Sequence, residues 1–251
     1  MRSVFSFAAM TMKSLLRRRT IYGIAILLLL ALVGIGQVPS FDVANQGRFV
    51  LDFGLFGIEL GGLLLAIGLA SNLYPRDREQ RTVMPLVAVP LSRTRYLLGR
   101  FTGAALVQAA VMVAGLLGLM VILLLNGLHV PSNLPSAGLL LVIEGWFLLS
   151  VVFFFSFWTS PPLNAPLTII IFILSQMSVR DFVGLLPSAS GVMRVIRMIL
   201  PHMDVFHIKD PVAHGIPVEP VYFALAAFYG LAYSAFMLSL AMAVWRRRDL
   251  K

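Results

Sequence analysis

The sequence has no cysteine and few charged residues. Without a thiol group there is no disulfide, no thiolate nucleophile and no thiolate metal ligand. Charged residues make up 12% of the 251 residues and hydrophobic residues 59%, which is more apolar surface than a soluble domain of this length can bury. Soluble enzymes, secreted disulfide scaffolds and disordered tails are therefore excluded. The composition predicts a single polytopic membrane domain over residues 1–251.

Lysine is also scarce. None of the three lysines, Lys13, Lys209 and Lys251, follows a glycine, whereas a P-loop needs Gly-Lys-Ser/Thr to hold the phosphates of ATP. The HExxH and GxSxG motifs are absent as well. The chain is therefore not itself a P-loop ATPase. We expect no enzymatic activity, no cofactor and no metal in this chain.

Six apolar runs have about the length of a membrane helix, which needs roughly 17 to 25 residues. They cover approximately residues 21–38, 50–73, 98–126, 137–159, 163–179 and 221–245. The pattern predicts an all-α integral membrane protein with six transmembrane helices. An even number of spans places both termini on the same side of the membrane.

The basic residues indicate which side that is. Of the 20 lysines and arginines, five precede the first apolar run, six lie in the second connection and four follow the last run. The other five lie in the opposite connections: Arg48, Arg180, Arg194, Arg197 and Lys209. The positive-inside rule therefore predicts a multi-pass protein of the cell membrane, a bacterial inner membrane, with both termini in the cytoplasm. The net charge of +9 then reflects orientation and contact with membrane lipid, not nucleic acid.

Residues 1–20 are predicted to form an amphipathic helix in the inner membrane interface. Its apolar stripe consists of Phe5, Ala8, Met12 and Leu15. A cleaved signal peptide is the alternative interpretation. It is disfavoured because residues 34–36 offer only a weak cleavage site and the region before the apolar run is long.

Residues 180–220 form the longest outer connection and are predicted to include a short amphipathic helix on the outer leaflet. Its apolar stripe consists of Val192, Val195, Ile196 and Ile199. Arg194 and Arg197 lie off this stripe and are candidates for contact with lipid phosphate or an anionic substrate. Five potential metal ligands follow: His202, Asp204, His207, Asp210 and His214. Their spacing matches no strong ligand motif, so solvated side chains are the preferred interpretation.

Two acidic residues fall inside predicted spans. Glu59 lies near the middle of the second span and Glu144 lies well inside the fourth. A charged group at that depth costs about 3 kcal/mol unless it is protonated, paired or hydrated, so each should face the protein interior or a cavity. Gly57 and Gly61 flank Glu59 in a GxxxG motif, which allows close helix approach. Two interpretations stay open: a translocation path, or structural hydrogen bonds between helices or subunits.

The connection between the second and third spans is too polar at its start for the membrane and too apolar in its middle for a free loop. We expect a short helix there, since the helix dipole favours acidic residues at its start. The apolar residues that follow are suited to pack into an apolar cleft of another protein. The residues expected to contact such a partner are Asp77, Arg78, Glu79, Gln80, Arg81, Thr82, Val83, Met84 and Leu86. An interfacial linker is the alternative.

This segment resembles the permease subunits of export-type (type-2, type V) ABC transporters. That family shows an acidic pair, Gly-Thr-Leu-Glu, two apolar positions, a proline, Ser-Arg and a glycine-basic pair. The matching residues are Asp77 and Glu79, Thr82, Leu86 and Val87, Pro90, Ser92 and Arg93, and Gly99 and Arg100. The sequence departs from the pattern at Arg81, Met84 and Pro85.

The resemblance implies a permease that dimerises with itself or with a second permease. It also implies that residues 74–97 form a cytoplasmic coupling segment, which engages a separate ABC ATPase subunit holding ATP and magnesium. In such a dimer Gly57, Glu59, Gly61 and Glu144 are candidates for the path or the subunit seam. An ion-coupled carrier or channel using Glu59 and Glu144 is the main alternative. A membrane enzyme or assembly scaffold is a third possibility, for which no catalytic constellation is present. The sequence does not indicate a substrate.

Overall fold

The structure is a computed structural model that describes residues 2–37, 46–71, 93–176, 201–206, 208, 211–212 and 218–247. Seven α-helices lie wholly within these residues, and none of the described residues is in a strand. The helices are α1 (Arg2–Leu16), α2 (Arg19–Gln37), α3 (Gln46–Ala70), α4 (Arg93–Leu125), α5 (Leu134–Trp158), α6 (Pro161–Gln176) and α7 (Pro220–Arg247). A short 3₁₀ helix, Met203–Phe206, precedes α7.

Five of these helices, α2, α3, α4, α5 and α7, are long and apolar enough to cross a membrane. The prediction of a helical membrane-spanning protein is therefore confirmed. The sixth apolar helix, α6, has 16 residues and a length of about 24 Å, which is less than the roughly 30 Å hydrocarbon core. Because the predicted fifth span ran to residue 179, its last part lies outside the described residues, and the count of six spans stays a prediction.

Helix α5 is the centre of the bundle. In its most apolar stretch 83% of the residues are buried, against 22% in α2 and in α7. The sequence explains this difference because α5 is apolar on all sides, and a helix without a polar face is stable only when neighbours cover it. Helices α3, α4, α6 and α7 all contact α5. The outward faces of α2 and α7 remain apolar and exposed, as membrane lipid requires.

Two prolines separate α5 from α6. Helix α5 ends at Trp158, and Pro161 and Pro162 lie in the first turn of α6. Proline is tolerated there because backbone N–H groups of a first helical turn make no hydrogen bond within the helix. The connection between the two helices is therefore tight, and α6 returns along α5.

Four aromatic rings join α1, α4, α5 and α7 at one end of the bundle, which we call the aromatic end. The Tyr96 ring lies 6.2 Å from that of Phe7 and 5.6 Å from that of Trp245, and Phe157 lies 5.7 Å from Trp245. The N-terminal helix and the C-terminal end of α7 are thus at the same end of the bundle. The start of α4 and the end of α5 also lie there.

Helix α1 packs against the start of α4 at Gly103. A Cβ atom at Gly103 would lie 2.7 Å from the Ala8 carbonyl oxygen, so only glycine allows the two backbones to be this close. Thr11 is buried here, and the Arg100 guanidinium donates to its hydroxyl oxygen over 3.4 Å. Met12, which belongs to the predicted apolar stripe, is 37% exposed. Thr11 faces α4 instead, because its short side chain fits beside Gly103 and its hydroxyl oxygen accepts a hydrogen bond from Arg100.

The 3₁₀ helix at the opposite end is fixed to α7 by two hydrogen bonds. The backbone N–H of His202 donates to the Tyr229 hydroxyl, and the Tyr222 hydroxyl donates to the Val205 carbonyl, both over 2.8 Å. Met203 and Phe206 are buried in the core. Part of the predicted outer connection is therefore packed onto the bundle.

Candidate functional site: a polar layer inside the bundle

Glu59 lies on the inward side of α3 and is 3% exposed. An adjoining side of α3 has an exposed apolar stripe that suits lipid or another subunit: Phe53, Phe56, Leu60 and Leu64. At the end of α6, Gln176 donates from Nε2 to Oε1 of Glu59. The carboxyl group is thus desolvated and fixed by an amide from a helix far away in the sequence. A hydrogen bond of this kind offsets part of the cost of burying the carboxyl group.

Gln108 of α4 joins α3 and α5 in the middle of the bundle. Its side chain is fully buried, and its Nε2 donates to the Gly62 carbonyl of α3 over 2.9 Å. On the other side is α5, where a Cβ atom at Gly145 would lie 2.9 Å from Gln108 Nε2. Glycine at position 145 therefore makes room for the amide. The Oε1 atom of Gln108 is buried and has no hydrogen-bond partner among the described residues.

Glu144 immediately precedes Gly145 and is 1% exposed. Trp146, on the other side of Gly145, donates from Nε1 to the Ala105 carbonyl of α4 over 3.0 Å. The residues that follow Glu144 on α5 are therefore held closely against α4. Lysine and arginine are absent from α5 and α6, so no basic residue of these two helices neutralises the Glu144 carboxyl group.

These residues lie at nearly the same level. Glu59, Gln108 and Glu144 each lie in the middle third of their helices. The hydrogen bond from Gln108 reaches Gly62, which is three residues and hence about 4.5 Å along α3 from Glu59. We call Glu59, Gln108, Glu144 and Gln176 the polar layer. It places two carboxyl and two amide groups deep inside an otherwise apolar bundle.

A polar stripe on α6 leads from the aromatic end of the bundle towards this layer. It consists of Asn164, Thr168 and Ser175, all fully buried, followed by Gln176. Asn164 donates to the Val152 carbonyl of α5 over 3.1 Å, and the Thr168 hydroxyl donates to the Asn164 carbonyl over 2.9 Å. The Ser175 hydroxyl has no hydrogen-bond partner among the described residues. The inward face of α6 is therefore polar near both of its described ends, with the buried ring of Phe172 between Thr168 and Ser175.

The GxxxG motif around Glu59 packs within the same chain. Cβ atoms at Gly57 and Gly61 would lie 4.0 Å from Leu32 and 3.2 Å from Leu28, both of α2. Leucine side chains, not a second backbone, therefore approach these glycines. Because Glu59 is two residues from each glycine, it points to a different side of α3. A role of this motif at a subunit seam stays a prediction.

The other sequence-predicted site residues lie outside the described residues. They are the partner-contact residues Asp77, Arg78, Glu79, Gln80, Arg81, Thr82, Val83, Met84 and Leu86, the outer-helix residues Arg194 and Arg197, and the potential ligands His207, Asp210 and His214. Among the residues that the structure does describe, no three His, Cys, Asp or Glu side chains are grouped closely enough to hold a metal ion.

The polar layer has the chemistry to interact with a proton, a cation or a hydrogen-bonding group. Carboxyl groups at this depth are stable when they are protonated, hydrogen-bonded or paired with a cation. Sequence comparison adds no assignment: no protein-family model matches the chain, and no curated protein matches it. Any functional assignment therefore depends on the residues themselves.

Proposed function

We propose that this chain is the membrane-spanning permease subunit of an ATP-driven ABC exporter, in which two permease copies form the path and a separate cytoplasmic ATPase supplies the energy. The observation behind this proposal is the pattern of Asp77 to Arg100, which resembles the coupling segment of that family. The lack of a phosphate-binding lysine is consistent with it, since the resemblance assigns ATP and magnesium to the partner subunit.

The arrangement proposed for the membrane has six spans, the fifth of which includes α6, and both termini in the cytoplasm. Its support is the distribution of charge along the bundle. The aromatic end, where α1, the start of α4 and the end of α7 meet, is also the end nearest to most of the basic residues. By the positive-inside rule this end faces the cytoplasm. Residues 1–20 then lie at the inner interface, residues 74–97 reach the ATPase, and residues 180–220 are outside.

The polar layer and the α6 stripe are proposed to line or gate the path. Asn164 and Thr168 near the cytoplasmic side, and Ser175 and Gln176 beside Glu59, supply hydrogen-bonding groups on the two sides of the buried Phe172. In an apolar bundle such groups lower the cost of moving a polar group through half of the membrane. The exposed apolar stripe of α3 is next to these groups and is available to a second copy.

An ion-coupled carrier is the second candidate, and one observation favours it. Glu59 and Glu144 lie in the same layer of the bundle, as the two carboxyl groups of a proton or cation site would. The polar layer fits both functions, so it does not discriminate between them. The segment from Asp77 to Arg100 discriminates between the two functions, because a carrier driven by an ion gradient needs no ATPase contact.

Affinity purification from native membranes separates the two candidates. The exporter proposal predicts that an ATPase with a Walker-A sequence copurifies with this chain and that reconstituted vesicles hydrolyse ATP. A carrier would copurify with no ATPase, and ion flux would dissipate an imposed proton or sodium gradient without ATP. The second result would replace the exporter proposal by the carrier.

A further inference from the structure

An aromatic groove runs along the outward face of α7 at the end where the 3₁₀ helix packs. Its volume is about 700 Å³. Its lining includes the small residues Ala226 and Ala232 and several aromatic side chains, among them Tyr222, Tyr233 and Phe236. Small residues between large ones produce the depression. The surface of this groove is almost entirely apolar, which favours an apolar occupant.

Two of its tyrosines use their hydroxyl groups within the protein. The Tyr222 hydroxyl donates to the Val205 carbonyl, and the Tyr229 hydroxyl accepts from the His202 backbone N–H. These bonds hold the rings in place and leave their apolar faces towards the groove. The groove is therefore preformed, which lowers the entropy cost of binding.

The surroundings of the groove indicate an elongated lipid chain. Leu225 and Phe228, which also line it, are 62% and 73% exposed on a helix long and apolar enough to span the membrane. The medium in contact with them is therefore lipid. From Tyr222 to Phe236 the groove extends about 21 Å along α7, which exceeds the roughly 15 Å depth of one leaflet. An acyl chain lying along the helix fits this shape.

The charges at one end of the groove indicate the headgroup. Asp204 directly precedes Val205, whose carbonyl binds the Tyr222 hydroxyl, and Glu219 lies three residues before Tyr222. Both acidic side chains are exposed. They attract an ammonium group and repel a headgroup with a net negative charge.

We propose that this groove is a binding site for a phospholipid with an amine headgroup, such as phosphatidylethanolamine. The acyl chain packs against the aromatic side chains, Ala226 and Ala232, and the ammonium group lies beside Asp204 and Glu219. The proposal depends on membrane insertion and on the geometry of α7, of the 3₁₀ helix and of Glu219, so it stands or falls independently of the exporter assignment.

Native mass spectrometry of the full chain in detergent tests the site with two probes, phosphatidylethanolamine and phosphatidylglycerol that have identical acyl chains. We expect the wild-type chain to retain the amine lipid about tenfold more strongly than the anionic lipid. Asp204→Asn combined with Glu219→Gln should bring this ratio to about one, because the acyl contact remains and the charge selection is lost.

A second experiment fills the groove with a larger side chain. Ala232→Trp adds an indole ring to an exposed position of the groove, and we expect about tenfold weaker retention of phosphatidylethanolamine. Ala235→Trp is the matched control, since Ala235 is exposed on the same helix but does not line the groove. Equal retention of both lipids by the wild type, or equal losses in both tryptophan variants, would overturn the proposal. Loss of a dimer mass in Ala232→Trp would overturn it too, because the groove would then be a contact between copies.

Discussion

The carboxylate of Glu59 accepts a hydrogen bond from the Nε2 of Gln176, although 117 positions separate the two residues in the sequence. This bond joins the middle of α3 to the end of α6 inside the bundle. It gives a polar anchor to α6, which is shorter than the helices that cross the membrane, at a point where its neighbours are mostly apolar. The bond therefore has a structural role whatever the protein transports, and stability and function must be measured separately.

A double-mutant cycle measures the structural role of this bond. Gln176→Leu should destabilise the fold by about 1–3 kcal/mol because it leaves a buried carboxyl oxygen without this donor. In a Glu59→Leu background the same change should cost less, with a coupling free energy of about 0.5–3 kcal/mol. Thermal unfolding in detergent reports both values. Additive effects of the two substitutions would show that the bond contributes nothing.

Glu59→Gln tests the functional role of the same residue. The substitution keeps the shape of the side chain and removes its charge, so assembly and thermal stability should stay close to wild type. If Glu59 lines the path, transport should fall about tenfold or change its pH dependence. Wild-type transport by this variant across a broad pH range would leave only the structural interpretation.

A larger side chain at Gly145 should displace the Gln108 amide. A Cβ atom there would lie 2.8 Å from Met112 Sδ and 2.9 Å from Gln108 Nε2, so Gly145→Ala forces the buried amide out of place. We expect a destabilisation of about 1–3 kcal/mol, measured by thermal unfolding in detergent. Gly34→Ala is the matched control, because none of the described residues places a heavy atom within 4 Å of its Cβ position. It should be neutral or stabilise by up to about 1 kcal/mol. Equal melting temperatures of the two variants would contradict the described packing of Gln108.

Gly103→Leu should detach α1 from α4. The added side chain would overlap the Ala8 carbonyl oxygen and Thr11, both within 2.7 Å of a Cβ atom at this position. Trypsin should then cleave faster at Lys13 and Arg17, which are exposed on and just after α1. Gly34→Leu serves as the control. Unchanged cleavage in the Gly103 variant would show that α1 does not depend on this contact.

The sequence predicted the membrane helices well because long apolar runs are rare in soluble domains, which cannot cover them. Helix boundaries were less accurate: α3 begins at Gln46 and α4 at Arg93, a few residues before the predicted spans. These first turns contain polar and charged residues, which lower the mean hydropathy of the segment, so the apolar pattern begins later than the helix does. The burial of Glu59 and Glu144 was predicted from the cost of charge in the membrane and is confirmed, whereas their role stays a prediction.

The amides of the polar layer were missed. Gln108 and Gln176 are neutral, and a single amide in an apolar run barely changes hydropathy. Their importance depends on which helices are neighbours, which one sequence does not specify. For α6 a signal was present, since Asn164, Thr168 and Ser175 recur at i, i+4 and i+11 and predict a polar helix face.

The central claim is that a separate ATPase powers this chain through residues 74–97, and copurification of that ATPase with two variants tests it most directly. Glu79→Arg should weaken its binding about 30-fold, the effect of losing one interface anchor of about 2 kcal/mol, and Met84→Asp should weaken it more by burying an unpaired charge. Lys13→Glu, a charge reversal at an exposed site of α1, should leave both copurification and ATP hydrolysis in reconstituted membranes unchanged. Wild-type copurification and hydrolysis in both Glu79→Arg and Met84→Asp would contradict the exporter assignment and favour the ion-coupled carrier.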